Sequence, residues 1–298
     1  MSNSNLSSGL KTVILFVYIL GSQTLWSQRD STFVKGGPVV PKTEIQSTKI
    51  YKTHPGWEIP VSIALIGSAS LGYKEMDKAA SLTSDQVLAL NPETINAFDR
   101  PAAYYDPAGF SDAALKSDIL MTAVVASPLL FAFDKKIRKD WADLLGMLLL
   151  AHAVDNTILF SAFLSVRRPR PVAYNPAAPM DEKTGVGKTN SFFSGHASWA
   201  MASTYFIVKV YTDYHQIKGL KRLLLYTVAA VPPAFVGYYR VHAGRHFESD
   251  AIVGMIIGGA CGILIPELHR IKNKVPGLSM QPFFKLGSNG LSLSYIIK

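Results

Sequence analysis

Five apolar runs constrain this chain most, at approximately 118–133, 141–166, 198–212, 223–239 and 250–271. Each is too long and continuous for an ordinary strand and reads as a helix. Gly219, Pro232, Pro233 and Pro266 punctuate or kink them. A further apolar stretch, 57–73, is shorter and is interrupted by Pro60 and Gly67. The expected fold is therefore all-α, a bundle of about six helices whose chemistry-bearing loops meet at one end. Past Pro276 the pattern changes to two short strands about a turn at Asn289-Gly290, a β-hairpin-like tail. Two strands cannot close a barrel.

Hydrophobic residues make up 48 % and charged residues 17 % of the chain, with a mean hydropathy of +0.18. These values fall between a soluble domain and a polytopic membrane protein. A net charge of +9 suits an anionic lipid or an anionic substrate. Nucleic acid is set aside, because the cations form neither a basic helix nor an aromatic-interleaved sheet motif. The single cysteine, Cys261, excludes an intrachain disulfide and a zinc cluster.

Residues 1–27 read as an export signal or N-terminal anchor, because the apolar stretch 12–20 is shorter than the ~20 residues that span a bilayer. Residues 28–56 form an extended leader, 57–271 the helical domain and 272–298 the tail. The connections 134–139, 215–222 and 269–274 are basic. If the helices span a membrane, those connections are cytoplasmic and the opposite face is outside. His152, Asp155 and Asn156 lie in a greasy run and are expected to be satisfied structural groups.

Three clusters carry candidate chemistry. Arg167, Arg168 and Arg170 alternate with prolines in a loop that cannot continue a helix. The loop that follows, 172–190, has the length of a lid or substrate rim. Ser194-Gly195-His196 stands just ahead of an apolar run, where a hydroxyl and free backbone N–H groups make an anion site. His196 there can serve as a general acid. In the third cluster Arg240 offers a planar fork for phosphate oxygens, and Gly244 lets backbone approach a ligand. His246 and Asp250 are four residues apart, one turn on a helix face. A carboxylate so placed can accept the Nδ1 proton and leave Nε2 as a nucleophile.

Together the clusters resemble the tripartite signature of the type 2 phosphatidic acid phosphatases, which share a fold with class A acid phosphatases and vanadium haloperoxidases. That signature reads Lys-x6-Arg-Pro, Pro-Ser-Gly-His and Ser-Arg-x5-His-x3-Asp. The resemblance covers roughly 141–271, and Arg240, His246 and Asp250 match the third motif in type and spacing. It departs at Phe163 (aligning on Arg170-Pro171) or Ser161 (on Arg168-Pro169) for the lysine, at Phe193 for the proline and at Tyr239 for the serine.

The resemblance implies a phosphatase acting on a lipid phosphate monoester or pyrophosphate, without metal or cofactor. It implies that His246 attacks phosphorus to give a phosphohistidine, that Asp250 orients His246, and that His196 is acid and then base. Arg168, Arg170, Ser194, Gly195 and Arg240 would hold phosphoryl oxygens, with Arg168, Arg167 or Lys188 making up the missing lysine's charge. The expected setting is an exported, membrane-associated enzyme with its site facing the periplasm or exterior. The rivals are a soluble exported acid phosphatase, a vanadate-dependent haloperoxidase and an inactive lipid-binding homologue.

Overall fold

The computed structural model describes residues 49–271, and by backbone alone the strands Leu278–Lys285 and Ser288–Tyr295. The export signal and most of the leader therefore lie outside the described residues. Seven long helices form the domain: α1 (Pro55–Ala79), α2 (Phe110–Ala126), α3 (Trp141–Ser165), α4 (Gly195–Tyr214), α5 (Gly219–Ala229), α6 (Val231–His242) and α7 (Glu248–His269). The run expected at 223–239 is thus two helices broken at Ala230, where Pro232 and Pro233 open the second. Pro is tolerated in a first helical turn because its missing N–H has no partner there anyway.

Counting α5 and α6 as one broken traverse, the chain crosses the bundle six times. The stretch 57–73, read from sequence as short and interrupted, belongs to a 25-residue helix, α1. It runs parallel to α3: Glu58 lies beside Gly146, Gly72 beside Phe160, and Tyr73 donates to Asn156 at 2.6 Å. The start of α1 is therefore at the same end as the start of α3, and Tyr51 bridges to Arg270 there.

α4 is central and packs against α2, α3, α6 and, most closely, α7. Three glycines of α7 make that close approach. A Cβ on Gly254, Gly258 or Gly262 would stand 2.4, 2.0 or 2.3 Å from the carbonyl oxygens of Ser194, Ser198 and Ala202. Small residues at this four-residue spacing let two backbones meet. Buried polar groups tie the same layer. Ser198 donates to Asp155 at 2.6 Å and His152 pairs with Ser203 at 3.0 Å. The three polar residues of α3 thus join α4 and α1, although Asp155 Oδ2 has no partner.

Residues 107–133, 138–165, 219–242 and 248–269 are long and apolar enough to cross a membrane. Leu115, Ile119, Leu129, Leu224, Val228 and Phe235 are exposed on two of them. Large apolar side chains turned outward along helices of this length face lipid, and the chain is membrane-associated. The two tail strands pair antiparallel, with Lys285 opposite Ser288. Asn289 and Gly290 therefore sit inside the second strand, opposite Phe284 and Phe283, and not at the turn expected from sequence.

Candidate active site

Helix direction brings the three clusters to one end of the bundle. Arg168 and Arg170 follow the C-terminus of α3, Ser194 to His196 open α4, Arg240 lies in the last turn of α6, and Asp250 lies in the first turn of α7. Two loops run side by side beneath them. The Arg170 N–H donates to the Lys188 carbonyl at 2.8 Å, and the Ser191 N–H donates to the Arg168 carbonyl at 3.1 Å.

His246 sits in the tight loop between α6 and α7 and is 3 % exposed. That loop turns at Gly244 with φ +65°, and a Cβ there would meet the Phe110 ring at 2.8 Å. The glycine therefore serves the turn and the packing, and not the approach to a ligand expected from sequence. His246 Nδ1 lies 2.6 Å from the Ser191 carbonyl oxygen. A carbonyl only accepts, so Nδ1 carries the proton and Nε2 keeps its lone pair. Burial, then the charges of Arg240 and Arg170, hold the imidazole neutral well below its ordinary range.

The expected His246–Asp250 hydrogen bond is not formed. The Asp250 carboxylate is fully buried and faces its own neighbourhood. It accepts from Ser191 Oγ at 2.6 Å, from the Phe247 N–H at 2.9 Å and from Arg168 Nη1 at 2.5 Å. Asp250 thus acts on His246 at one remove, by holding Ser191 and the backbone on the other side of the imidazole. Arg168, expected on the phosphate, is spent on carboxylates instead: its Nη2 donates to Asp99 at 2.7 Å, and its guanidinium lies 4.0 Å over the Phe247 ring. Burial pushes the Asp99 carboxyl up, but Arg168, Asn96 and Ser249 together hold it below its usual value.

At the start of α4, Ser194 is the N-cap residue, yet its side chain makes no capping bond, and its buried Oγ has no partner. A side chain on Gly195 would meet Leu159 at 2.7 Å. His196 Nε2 lies 2.9 Å from Asp118 Oδ1 on α2. Burial and then Arg240 lower its imidazole to about 4, against the opposing pull of Asp118. Arg240 has its Nη1 3.4 Å from both Ser117 and Asp118, while its buried Nε has no partner.

Arg170 turns its Nε and Nη2 to Asn190, at 3.1 and 2.9 Å, and Asn190 in turn donates to Asp77 at 2.7 Å. Burial, then Arg245 and Arg240, bring the Arg170 guanidinium down to about 9. Lys188 is lowered by burial, Arg245 and Arg170 in the same way. Arg245 thus shares a positive field with both. Its guanidinium has no ion pair among the described residues. Phe163, where the family signature has lysine, packs in the core with Met76, Leu159 and Phe193.

Sequence reasoning missed Asp118, Ser191 and Asn190. The helix holding Asp118 begins at Phe110, eight residues before the expected start, and this places Asp118 in its third turn. The available signal was a carboxylate at the head of a long apolar run, Asp118 standing just before 119–133.

Residues 140–274 match the PAP2 superfamily, and that stretch carries every residue named above from Arg168 to Asp250. Two solved structures align with the chain, each at a TM-score of 0.37. LpxE of Aquifex aeolicus is 23 % identical over 60 % of this chain and 96 % of its own. A transmembrane PAP2-type phosphatidylglycerolphosphate phosphatase from Bacillus subtilis is 20 % identical over 71 % of this chain and 93 % of its own. No curated protein matches the chain in sequence.

Proposed function

We propose that the chain is a phosphatase for a lipid phosphate monoester or pyrophosphate, working through a phosphohistidine on His246. The observation that carries this reading is the pair of buried, unpartnered polar atoms, Ser194 Oγ and Arg240 Nε, beside an imidazole whose Nδ1 proton is already engaged. Buried donors without partners are costly, and a phosphoryl group satisfies both at once. The first-turn N–H groups of α4, beginning at Gly195, have no carbonyl of their own helix and add further donors. Arginine and backbone dipoles then meet the charge that develops on the transferring group.

His246 Nε2 attacks phosphorus, and the P–O bond to the lipid breaks. His196 gives its proton to the departing oxygen. Asp118 on Nε2 of His196 leaves Nδ1 for that transfer. Water next attacks the phosphohistidine, His196 takes the water proton, and the P–N bond breaks to release phosphate. His196 is neutral in the free enzyme at neutral pH, so its protonation accompanies binding of the substrate dianion, whose charge favours the imidazolium. Asp250 and Arg168 are positioning residues in this scheme. Arg170, Arg240 and Ser194 hold the phosphoryl oxygens, and Arg245 with Lys188 supplies the charge that Phe163 lacks.

With the basic connections inside, the catalytic end faces outward, and residues 49–54 face inward with Arg270. α1 then runs from the inner face to the outer one. The test is phosphate release in detergent from a panel of lipid and water-soluble phosphomonoesters. Faster release from lipid phosphates, lost in His246→Ala, supports the reading. Release from none of them, or undiminished release by the variant, overturns it.

A further inference from the structure

The end of the bundle remote from His246 holds a cavity of about 760 Å³. Along α4, whose 20 residues span about 30 Å, it is separated from His196 by the full depth of the bundle. Lys136, Lys139, Lys218, Arg222 and Arg270 line it. Two acids also reach it, Asp140 and Asp213, and both are engaged. Asp213 is buried, accepts the Tyr51 hydroxyl at 2.8 Å and pairs with Lys209, with Arg222 at 3.5 Å and with Arg270 at 3.7 Å. Asp140 accepts the Tyr214 hydroxyl at 2.5 Å. Lys136, Lys139 and Lys218 have no ion pair among the described residues.

The positive-inside tendency explains why these connections are basic. It does not explain why cations from three separate connections converge on one concave volume, where low-dielectric walls concentrate their field. The cavity is level with Arg138, Gly219 and His269, the ends of three of the membrane-length segments, and so lies at the depth of lipid headgroups. Its volume is that of a small-molecule site.

We propose that this cavity is a second anion site, which seats the phosphate headgroup of an anionic phospholipid in the leaflet at that end. It is separate from the catalytic pocket, and binding there does not depend on the chain being a phosphatase. Basic pockets between membrane helices recognise headgroups through the same charge complementarity.

The test uses the full chain in phosphatidylcholine nanodiscs with or without phosphatidylglycerol, read by native mass spectrometry of the released complex. The wild type is compared with a Lys136→Gln, Lys139→Gln, Lys218→Gln triple variant, whose altered side chains hold no structural ion pair. The wild type should retain phosphatidylglycerol over phosphatidylcholine. The triple variant should retain it about ten- to a hundredfold less well, while cleaving a water-soluble phosphomonoester as fast as the wild type. Equal retention by both proteins overturns the proposal. A third arm adds inorganic phosphate to discs of phosphatidylcholine alone. Thermal protection of the wild type but not the variant there, with no preference for phosphatidylglycerol, would assign the cavity to a soluble phosphate and overturn the lipid reading.

Discussion

At the catalytic end two buried carboxylates share one arginine, whereas at the opposite end one buried carboxylate shares three cations. Asp99 and Asp250 both bind Arg168, which among the described residues leaves Arg170 and Arg245 without a carboxylate and Arg240 with only Asp118 at 3.4 Å. Asp213 instead gathers Lys209, Arg222 and Arg270. A basic cluster can receive a phosphate only with the cations its own acids have not taken. By concentrating two acids on Arg168, the first end frees several guanidiniums for an anion. The second end keeps a redundant internal network and leaves its free charge on exposed lysines.

The largest test of that contrast is His246→Ala. It should lower turnover by at least about 10³-fold, measured as phosphate release, while the arginines still bind inorganic phosphate as a competitive inhibitor of residual activity. Next comes a matched pair of arginine variants, compared by thermal unfolding in detergent. Arg168→Met strands two buried carboxylates and should cost about 3–5 kcal/mol. Arg222→Met should cost under about 1 kcal/mol, because Asp213 keeps Lys209 and Arg270. Equal losses would erase the distinction between the ends.

A second pair probes how strictly the site depends on the α4–α7 contact. Gly254→Ala and Gly262→Ala each press a methyl onto a backbone carbonyl, and each should destabilise by about 1–3 kcal/mol. Only Gly254 meets Ser194, so its variant should lose disproportionately more kcat, a split that steady-state kinetics on the folded fraction would reveal.

The smallest effect is a shift of pH profile. Asp118 raises the His196 pKa against burial, so Asp118→Asn should lower it. His196 must be protonated to act as acid, so the basic limb of kcat/KM should move to lower pH. A limb that stays in place would remove Asp118 from the proton path.

Much of the fold was legible because long apolar runs have few ways to satisfy their backbone, and helices in a bundle are the simplest. The three clusters were legible because Ser194-Gly195-His196 and Arg240, His246 and Asp250 stand at run boundaries, where helix ends expose donors. The length of α1 was not legible, since Pro60 and Gly67 interrupt its pattern without breaking the helix. Nor was the division of labour between Arg168 and Arg170, two residues apart with the same side chain. One meets Asp99, which is 69 residues away, and Asp250; the other meets Asn190.

Residue type and spacing, through the family resemblance they carry, implied that two imidazoles and several arginines would gather at one end of a helical bundle. Only the tertiary structure decided which acceptor holds which donor. The four-residue step from His246 to Asp250 permits contact, yet the Nδ1 proton goes to the Ser191 carbonyl, which a separate loop delivers at 2.6 Å. Hydrogen bonds are short-ranged and directional, and the geometry that selects among rival partners comes from parts of the chain that meet only after folding.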